Sequence, residues 1–318
     1  PRRAEANARG RLFGVGLANC IESAAGPKAD FARITVQDDG TVLIAPGVMS
    51  VGQGHQTGLS RMASEHLQVP LDRITYVNGD TDALSHGRGS GGSSGLTVAG
   101  SALWRALEAL VQDGRGLAAQ AFGCTEAEVT FRDGGFHREG GNETVTLGKL
   151  AAEQGGRWSV EQSFTPDTAV YPNGTHLCEV EIDPETGEVA ITRYSAVEDV
   201  GKVLNPVMVE GQLHGGIAHG LSQGLGEAMA FDGAGQMLTG SLMDYRVVRA
   251  SDMPPILLGT KEVPTCRNPL GVKGVGEAGT VGAVAAFASA VSDALAQAGV
   301  SDFDLPATPN RVWAALQA

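Results

Sequence analysis

Residues 34–44 read ITVQDDGTVLI, and residues 180–191 read VEIDPETGEVAI. In both stretches, residues typical of strands flank a turn that contains glycine, which is the pattern of an antiparallel hairpin. Each hairpin is followed by the pattern GQxH, here called a Gly-Gln element, at 52–55 and 211–214. We therefore predict a hairpin–helix unit that occurs twice, each copy supplying one Gly-Gln element to a shared cleft. Chance similarity of two such units is the alternative.

The length of 318 residues is sufficient for two similar halves. We place the first half at 1–160 and the second at 170–318, because Pro166, Pro172 and the Asn-Gly pair at 173–174 interrupt both periodicities between them. Hairpins are mixed with helices, and strands and helices do not alternate regularly. This pattern predicts an α+β fold.

Four segments have the spacing or the boundary signals of helices, at 96–110, 206–227, 280–297 and 310–316. The second of them contains five glycines, at 211, 215, 216, 220 and 224. Each glycine costs about 1 kcal/mol against alanine in a helix. Their number predicts that this helix packs closely against backbone or against a cofactor.

The composition argues against several classes of function. The formal net charge of -13 does not favour binding to nucleic acid or to anionic lipid. No wholly apolar stretch approaches the ~20 residues of a membrane helix, which argues against a transmembrane protein. The four cysteines lie far apart without a CxxC pair, and no signal-peptide pattern is visible at the N-terminus. We therefore expect no metal-ligand set in the chain and a cytoplasmic location.

Two segments match the GxGxxG pattern of dinucleotide-binding proteins, at 87–92 and 274–279. That interpretation requires a buried strand immediately before the glycines. Pro264, Asn268 and Pro269 precede the second segment, and the loop sequence NGDTD precedes the first. The context therefore argues against an NAD-dependent oxidoreductase.

The glycine-rich segments allow other interpretations. Glu277 lies in the second one, at the start of a predicted helix, where it is either a general base or a carboxylate that complements the helix dipole. The first one continues as a Ser/Gly loop over residues 87–95. This loop is either a nest of backbone N–H groups for a phosphate or a flexible surface loop.

Four motifs together resemble the second molybdenum-cofactor-binding domain of the large subunit of molybdenum hydroxylases. This family contains xanthine dehydrogenase, aldehyde oxidase and aerobic carbon monoxide dehydrogenase. The motifs are VGQGHQT at 51–57, GDTD with GRGSGGSS within 79–94, EDVGKVLNPVMVEGQLHGG at 198–216 and GVKGVGEAGTVGA at 271–283. The resemblance extends over essentially the whole chain.

The resemblance implies that both Gly-Gln elements and the Ser/Gly loop wrap a molybdopterin dinucleotide, in the cytosine form usual in bacterial members. It implies that Glu277 is the base that activates a metal-bound hydroxide in the oxidation of a small-molecule substrate. Asp199 and Asn205 are implied at the nucleotide end. The other implied contacts are Gln53, Gly54, His55, Ser90, Gly92, Ser93, Gln212 and Gly276.

The resemblance also implies partners. The N-terminal half of the large subunit lies outside these 318 residues, and [2Fe-2S] and FAD are expected on partner subunits. The isolated chain should then be an inactive part of an oxidoreductase. Family members often have threonine in place of Ser90 and arginine in place of Ser94. These departures leave open a non-catalytic binding or assembly module that has kept the fold.

Overall fold

The computed structural model describes residues 1–318 and contains eleven strands and seven α-helices. In chain order the strands are β1 (Leu12–Ile21), β2 (Asp30–Gln37), β3 (Val42–Pro46), β4 (Ile74–Tyr76), β5 (Val129–Arg132), β6 (Gly135–Arg138), β7 (Thr144–Thr146), β8 (Arg157–Phe164), β9 (Asn173–Ile182), β10 (Val189–Asp199) and β11 (Ile256–Thr260). The helices are α1 (Arg2–Ala8), α2 (His55–Leu67), α3 (Ser101–Phe122), α4 (Leu147–Glu153), α5 (Pro206–Leu225), α6 (Ala278–Ala296) and α7 (Pro309–Gln317).

Two four-stranded sheets have the same topology, which confirms the predicted repeat. The hairpins β2–β3 and β9–β10 are both antiparallel. Each is followed by a helix, α2 or α5, and then by a strand that runs parallel to the second hairpin strand, β4 or β11. A long helix, α3 or α6, comes next in each copy. The α+β class is confirmed as well.

The division of the chain into contiguous halves needs a correction, because β1 of the first half belongs to the sheet of the second. The sheet orders are β4-β3-β2-β8 and β1-β9-β10-β11. Thus β1, within the predicted half 1–160, is the edge strand of the second sheet, paired from Leu12 opposite Ile182 to Ile21 opposite Asn173. The corresponding edge strand of the first sheet is β8, which lies between the two hairpins in the chain and pairs with β2. Hairpin signals are local and carry no information about this long-range pairing.

Each sheet packs on its own long helix. In the first copy, the predicted apolar face of α3 is buried at Leu103, Leu107 and Leu110, and Ala99 in the turn before it is buried as well. Helix α3 packs against β2 and β8. In the second copy, α6 lies against β1, β9 and α5. The small sheet of β5, β6 and β7 follows α3 in the chain and packs beside it. Two hydrophobic cores result, one for each sheet.

Glycine allows the close approaches within the second copy. A Cβ at Gly220 would lie 2.7 Å from the Cβ of Ala283, and one at Gly224 would lie 2.5 Å from the Phe287 ring, both on α6. Glycine at 216 faces α6 in the same way. Nothing lies within 4 Å of a Cβ at 211 or 215. The predicted close packing of α5 is therefore correct for three of its five glycines.

Helix α6 alone is long and apolar enough, by length and composition, to cross a membrane. In the fold it is a core helix, because ten of its residues, among them Phe287 and Leu295, are buried against β1, β9 and α5. Its N-terminal end points to the cleft between the two copies, where Glu277 lies.

Candidate active site

One large cavity, of about 880 Å³, lies where the two copies meet. Its walls come from the start of α2, the Ser/Gly loop, the start of α5 and the loop that leads into α6. The two Gly-Gln elements therefore line one shared cleft, as predicted. Ten of the eleven predicted site residues line it: Gln53, Gly54, His55, Ser90, Gly92, Ser93, Asn205, Gln212, Gly276 and Glu277.

The first Gly-Gln element is fixed to the Ser/Gly loop by its glutamine. Gln53 Nε2 donates to Ser90 Oγ at 2.8 Å and to the Met49 carbonyl at 2.9 Å. Gln53 Oε1 accepts the Val51 N–H at 2.6 Å. The amide thus orders both loops, and the Ser90 hydroxyl donates to the same Met49 carbonyl.

Gly54 begins α2 in a left-handed conformation, with φ of 79°. A Cβ at this position would lie 1.5 Å from Met208 Cε, at the start of α5. The backbone angle therefore favours glycine here, and a larger residue would also displace the end of the Met208 side chain.

The Ser/Gly loop lines the cavity and is therefore not a free surface loop. Gly92 and Ser93 are both left-handed, with φ of 58° and 50°. For serine this conformation costs roughly 1–2 kcal/mol, so the surroundings must hold Ser93 in place. Ser94 is buried and donates its hydroxyl to the Gly91 carbonyl at 2.6 Å. A π-helical turn over Gly95–Gly100 then leads into α3.

His55 offers a buried polar atom that no protein group satisfies. Its Nδ1 is buried without a hydrogen-bond partner, and its ring lies where a side chain at Gly95 would be. Burial lowers the pKa of His55, which favours the neutral imidazole. The residue lines the cavity, whereas this nitrogen itself is covered by protein atoms.

The second Gly-Gln element is placed by a helix cap. Asn205 is the N-cap of α5, and its Oδ1 accepts the Met208 N–H at 3.3 Å. Gln212 follows about two turns later and faces the cavity. The helix N-terminus between these residues favours a negatively charged ligand group.

Asp199 does not line the cavity, so the structure does not support its predicted place at the nucleotide end. It is buried, and its Oδ1 accepts the N–H groups of Gly201 at 2.9 Å and Val263 at 3.1 Å. Its Oδ2 forms an ion pair with Lys273. Asp199 therefore holds the loop that leads to Glu277, and Lys273 lines the cavity in its place.

Asp199→Asn is expected to lower the free energy of unfolding by about 2 kcal/mol, because Lys273 becomes a largely buried cation without its carboxylate. Denaturant unfolding of this variant beside Asp302→Asn, an exposed carboxylate, measures the difference. Equal stabilities of the two variants would show that the ion pair contributes nothing.

Glu277 is the N-cap of α6, but its side chain makes no capping hydrogen bond. Its backbone N–H donates to Ser93 Oγ at 3.1 Å, which ties it to the Ser/Gly loop. A Cβ at Gly274 would lie 2.5 Å from that of Ser93, and one at Gly276 3.2 Å from its Oγ, so glycine permits this contact. The exposed carboxylate faces the cavity and is available as a base.

Sequence reasoning missed the cations of the site. Arg61, Lys202 and Lys273 all line the cavity of a chain whose net charge is -13. Lys202 lies in the motif EDVGK and Lys273 lies in the motif GVKG. Their positions in these motifs were the signal by which the sequence could have predicted them. Lys202 has no ion-pair partner and is suited to a phosphate-containing ligand, whereas Arg61 is paired with Glu65 and Lys273 with Asp199.

Neither GxGxxG segment follows directly on a strand. Residues 77–86 separate β4 from the first segment, and residues 261–273 separate β11 from the second. The topology is therefore not that of a dinucleotide-binding strand–turn–helix, as the sequence context predicts.

The fold and the cavity together define a cofactor-binding domain. The sequence shows the family to which this domain belongs. A family model of the molybdopterin cofactor-binding domain matches residues 1–254. The chain is a member of this family, as the four motifs predict.

Relatives of the chain are large subunits of molybdenum enzymes. The chain is 33% identical to the nicotine 6-hydroxylase large subunit of Paenarthrobacter nicotinovorans, over 98% of its own length and 41% of the relative. It is 32% identical to the carbon monoxide dehydrogenase large chain of Hydrogenophaga pseudoflava, over 99% and 42%. The chain thus spans about two fifths of the length of these relatives.

Solved structures agree with this assignment. Quinoline 2-oxidoreductase from Pseudomonas putida 86 matches with a TM-score of 0.88 and 31% identity, over 99% of this chain and 43% of that one. A Cu,Mo-containing carbon monoxide dehydrogenase matches with a TM-score of 0.88 and 28% identity, over the same shares.

Proposed function

We propose that this chain is the C-terminal part of the large subunit of a molybdenum hydroxylase. Such an enzyme oxidises an aldehyde, an N-heterocycle or carbon monoxide, with water as the source of oxygen. The observation that carries the proposal is the position of Glu277, whose carboxylate lacks a capping role and faces a cavity lined by both Gly-Gln elements.

The residues of the cavity fit a molybdopterin dinucleotide. Its phosphates require cations and backbone N–H groups, for which Lys202 and the helix N-termini are suited. Arg61 and Lys273 also line the cavity, each already paired with a carboxylate, Glu65 or Asp199. The pterin requires hydrogen-bonding groups, for which the side chain of Gln212 is suited. When bound, the cofactor supplies the two-electron redox chemistry of the reaction.

The protein's own contribution is position and proton transfer. Gln53 and Ser90 fix the two loops of the first copy against each other. The contact between Ser93 and the N–H of Glu277 then fixes the carboxylate relative to those loops. Glu277 takes a proton from the reacting centre, a role in which a well-placed base contributes typically 10²–10⁴-fold to the rate.

The remaining assignments extend the same proposal. We place the cytosine form of the dinucleotide in the cavity and the complete enzyme in the cytoplasm. The N-terminal half of the large subunit, an iron–sulfur subunit and an FAD subunit complete the enzyme. The names of two relatives support the presence of partner subunits. One relative is a large subunit, and another is the gamma subunit of a 6-hydroxypseudooxynicotine dehydrogenase complex.

Metal and nucleotide analysis of the native complex tests the proposal. We expect molybdenum, measured by mass spectrometry, together with CMP released by acid, in equal amounts with the large subunit. An intact complex that contains the N-terminal half but neither molybdenum nor CMP would contradict it. In that case the fold serves as a binding or assembly module without cofactor.

A further inference from the structure

Three residues that can ligate a metal ion meet on the inner face of the second sheet, which α6 covers. Cys20 on β1 and Glu198 on β10 are both paired with Gly174 on β9, and His176 lies two residues further along β9 on the same face. One ligand atom from each of the three side chains lies within 4.8 Å of the others. Because the ligands come from three strands, their spacing in the sequence did not indicate a metal-ligand set.

Small residues leave room for these side chains. A Cβ at Gly174 would lie 2.2 Å from Glu198 Oε1, so glycine is what allows the side chains on either side of it to meet. Alanines are paired with His176 on both neighbouring strands. On α6, a Cβ at Gly282 would lie 2.4 Å from the His176 ring. The cluster is therefore enclosed between the sheet and the helix.

Glu198 is almost completely buried, and one of its carboxylate oxygens has no partner. Oε1 lies 2.6 Å from His176 Nε2 and 3.7 Å from Cys20 Sγ. Oε2 is the oxygen without a partner, and it lies within the cluster, 2.4 Å from where a Cβ at Gly174 would be. A buried oxygen of this kind costs free energy unless a donor or a cation satisfies it. The unsatisfied oxygen indicates that the cluster accepts a ligand.

Tyr194 orients the imidazole of His176. Its hydroxyl lies 2.6 Å from Nδ1, and both residues are fully buried. A histidine that ligates a metal usually donates its other ring N–H to an oxygen, which fixes the orientation of the ring. With the proton on Nδ1 and donated to Tyr194, Nε2 is free to act as a ligand beside Glu198.

Thiolate, imidazole and carboxylate are the ligands of zinc in proteins, at about 2.0–2.3 Å in a tetrahedral arrangement. Two ligand atoms of one zinc ion therefore lie roughly 3.3–3.6 Å apart. The 3.7 Å between Cys20 Sγ and Glu198 Oε1 is close to this value. The 2.6 Å between His176 Nε2 and the same oxygen is a hydrogen bond, which the ion would replace. A thiolate and a carboxylate also balance the charge of a divalent cation.

We propose that Cys20, His176 and Glu198 bind one zinc ion in the second copy. The S–H bond of Cys20 breaks on binding, its sulfur forms a bond to the ion, and the proton is released to solvent. Without the ion the thiol is neutral, because burial and the charge of Glu198 raise the pKa of Cys20 to about 11. Cys20 is only partly buried, which gives the ion access. None of the three residues lines the cavity of the candidate active site, so the ion joins three strands and takes no part in the reaction.

Zinc content of the protein in its native complex tests the proposal without any measurement of activity. The complex is equilibrated with excess zinc chloride, freed of unbound ions by gel filtration and analysed by mass spectrometry. The wild type should hold one zinc ion more per copy of this chain than Cys20→Ser. Cys266→Ser, which alters an exposed thiol outside the cluster, should keep the wild-type content. Equal zinc content in the wild type and Cys20→Ser would overturn the proposal.

X-ray absorption at the zinc edge tests the ligand set. The spectrum of the wild type should contain one sulfur at about 2.3 Å and lighter ligands at about 2.0–2.2 Å. The sulfur contribution should be absent from Cys20→Ser. A bound zinc ion without a sulfur ligand in the wild type would contradict the assignment of Cys20.

Tyr194→Phe keeps all three ligands and removes only the hydroxyl that orients His176, so it tests the site even if Cys20→Ser does not assemble. Its affinity for zinc, measured by competition with a chromogenic chelator, should be 10–100-fold below that of the wild type, as is typical for loss of such a partner. Zinc should also raise the melting temperature of the wild type more than that of Tyr194→Phe. Equal affinities would show that His176 is not a ligand.

Discussion

Glu277→Gln is expected to reduce kcat of the assembled enzyme by about 10²–10⁴-fold, the contribution of a well-placed general base. Glutamine preserves the size of the side chain and the backbone N–H that donates to Ser93, so the loop should stay in place. It removes only the ability to take a proton. Steady-state kinetics, combined with molybdenum analysis of the same preparation, measures both effects.

The control for this variant is Glu185→Gln, which removes an exposed carboxylate in the β9–β10 turn. We expect wild-type kcat for Glu185→Gln, and wild-type molybdenum content in both variants. Near-normal turnover of Glu277→Gln would end the catalytic assignment. Loss of molybdenum together with activity would instead place Glu277 in cofactor retention.

Gly16→Ala is expected to cause the largest loss of stability. A Cβ at this position would lie 1.9 Å from the Ala286 carbonyl oxygen and 2.4 Å from the Ala290 nitrogen. Both are backbone atoms of α6, so no side-chain rotation relieves the clash. Overpacking of this kind costs typically 1–3 kcal/mol and occasionally more, and we expect about 3 kcal/mol here. The melting temperature should fall by roughly 6 °C.

Gly259→Ala is the matched control, since it adds a methyl group to β11 in the same sheet. Its Cβ would lie 3.4 Å from Val197, an ordinary contact. Thermal unfolding of the two variants separates the clash with α6 from the general effect of replacing glycine in a strand. Similar melting temperatures would show that β1 and α6 are not as closely packed as the structure has them.

Glu277 and Gln53 illustrate how much of the site the sequence predicts. Both belong to short motifs in which glycines surround one functional side chain, and both line the cavity. Asn205 was predictable as a helix cap because a cap depends on its nearest neighbours in the chain. Asp199 lies in the same motif as Asn205, but its side chain points to Lys273 and to backbone N–H groups instead of the cavity.

The sequence by itself determined the repeated hairpin–helix unit, the long helices and ten of the residues that line the cavity. These features depend on periodicity and turn chemistry within a few residues. Only the tertiary structure decided the pairing of β1 with the second sheet and the hydrogen bond between the Glu277 N–H and Ser93. Strand pairing and burial join residues that lie more than one hundred positions apart. Their free energies depend on partners that no local pattern specifies.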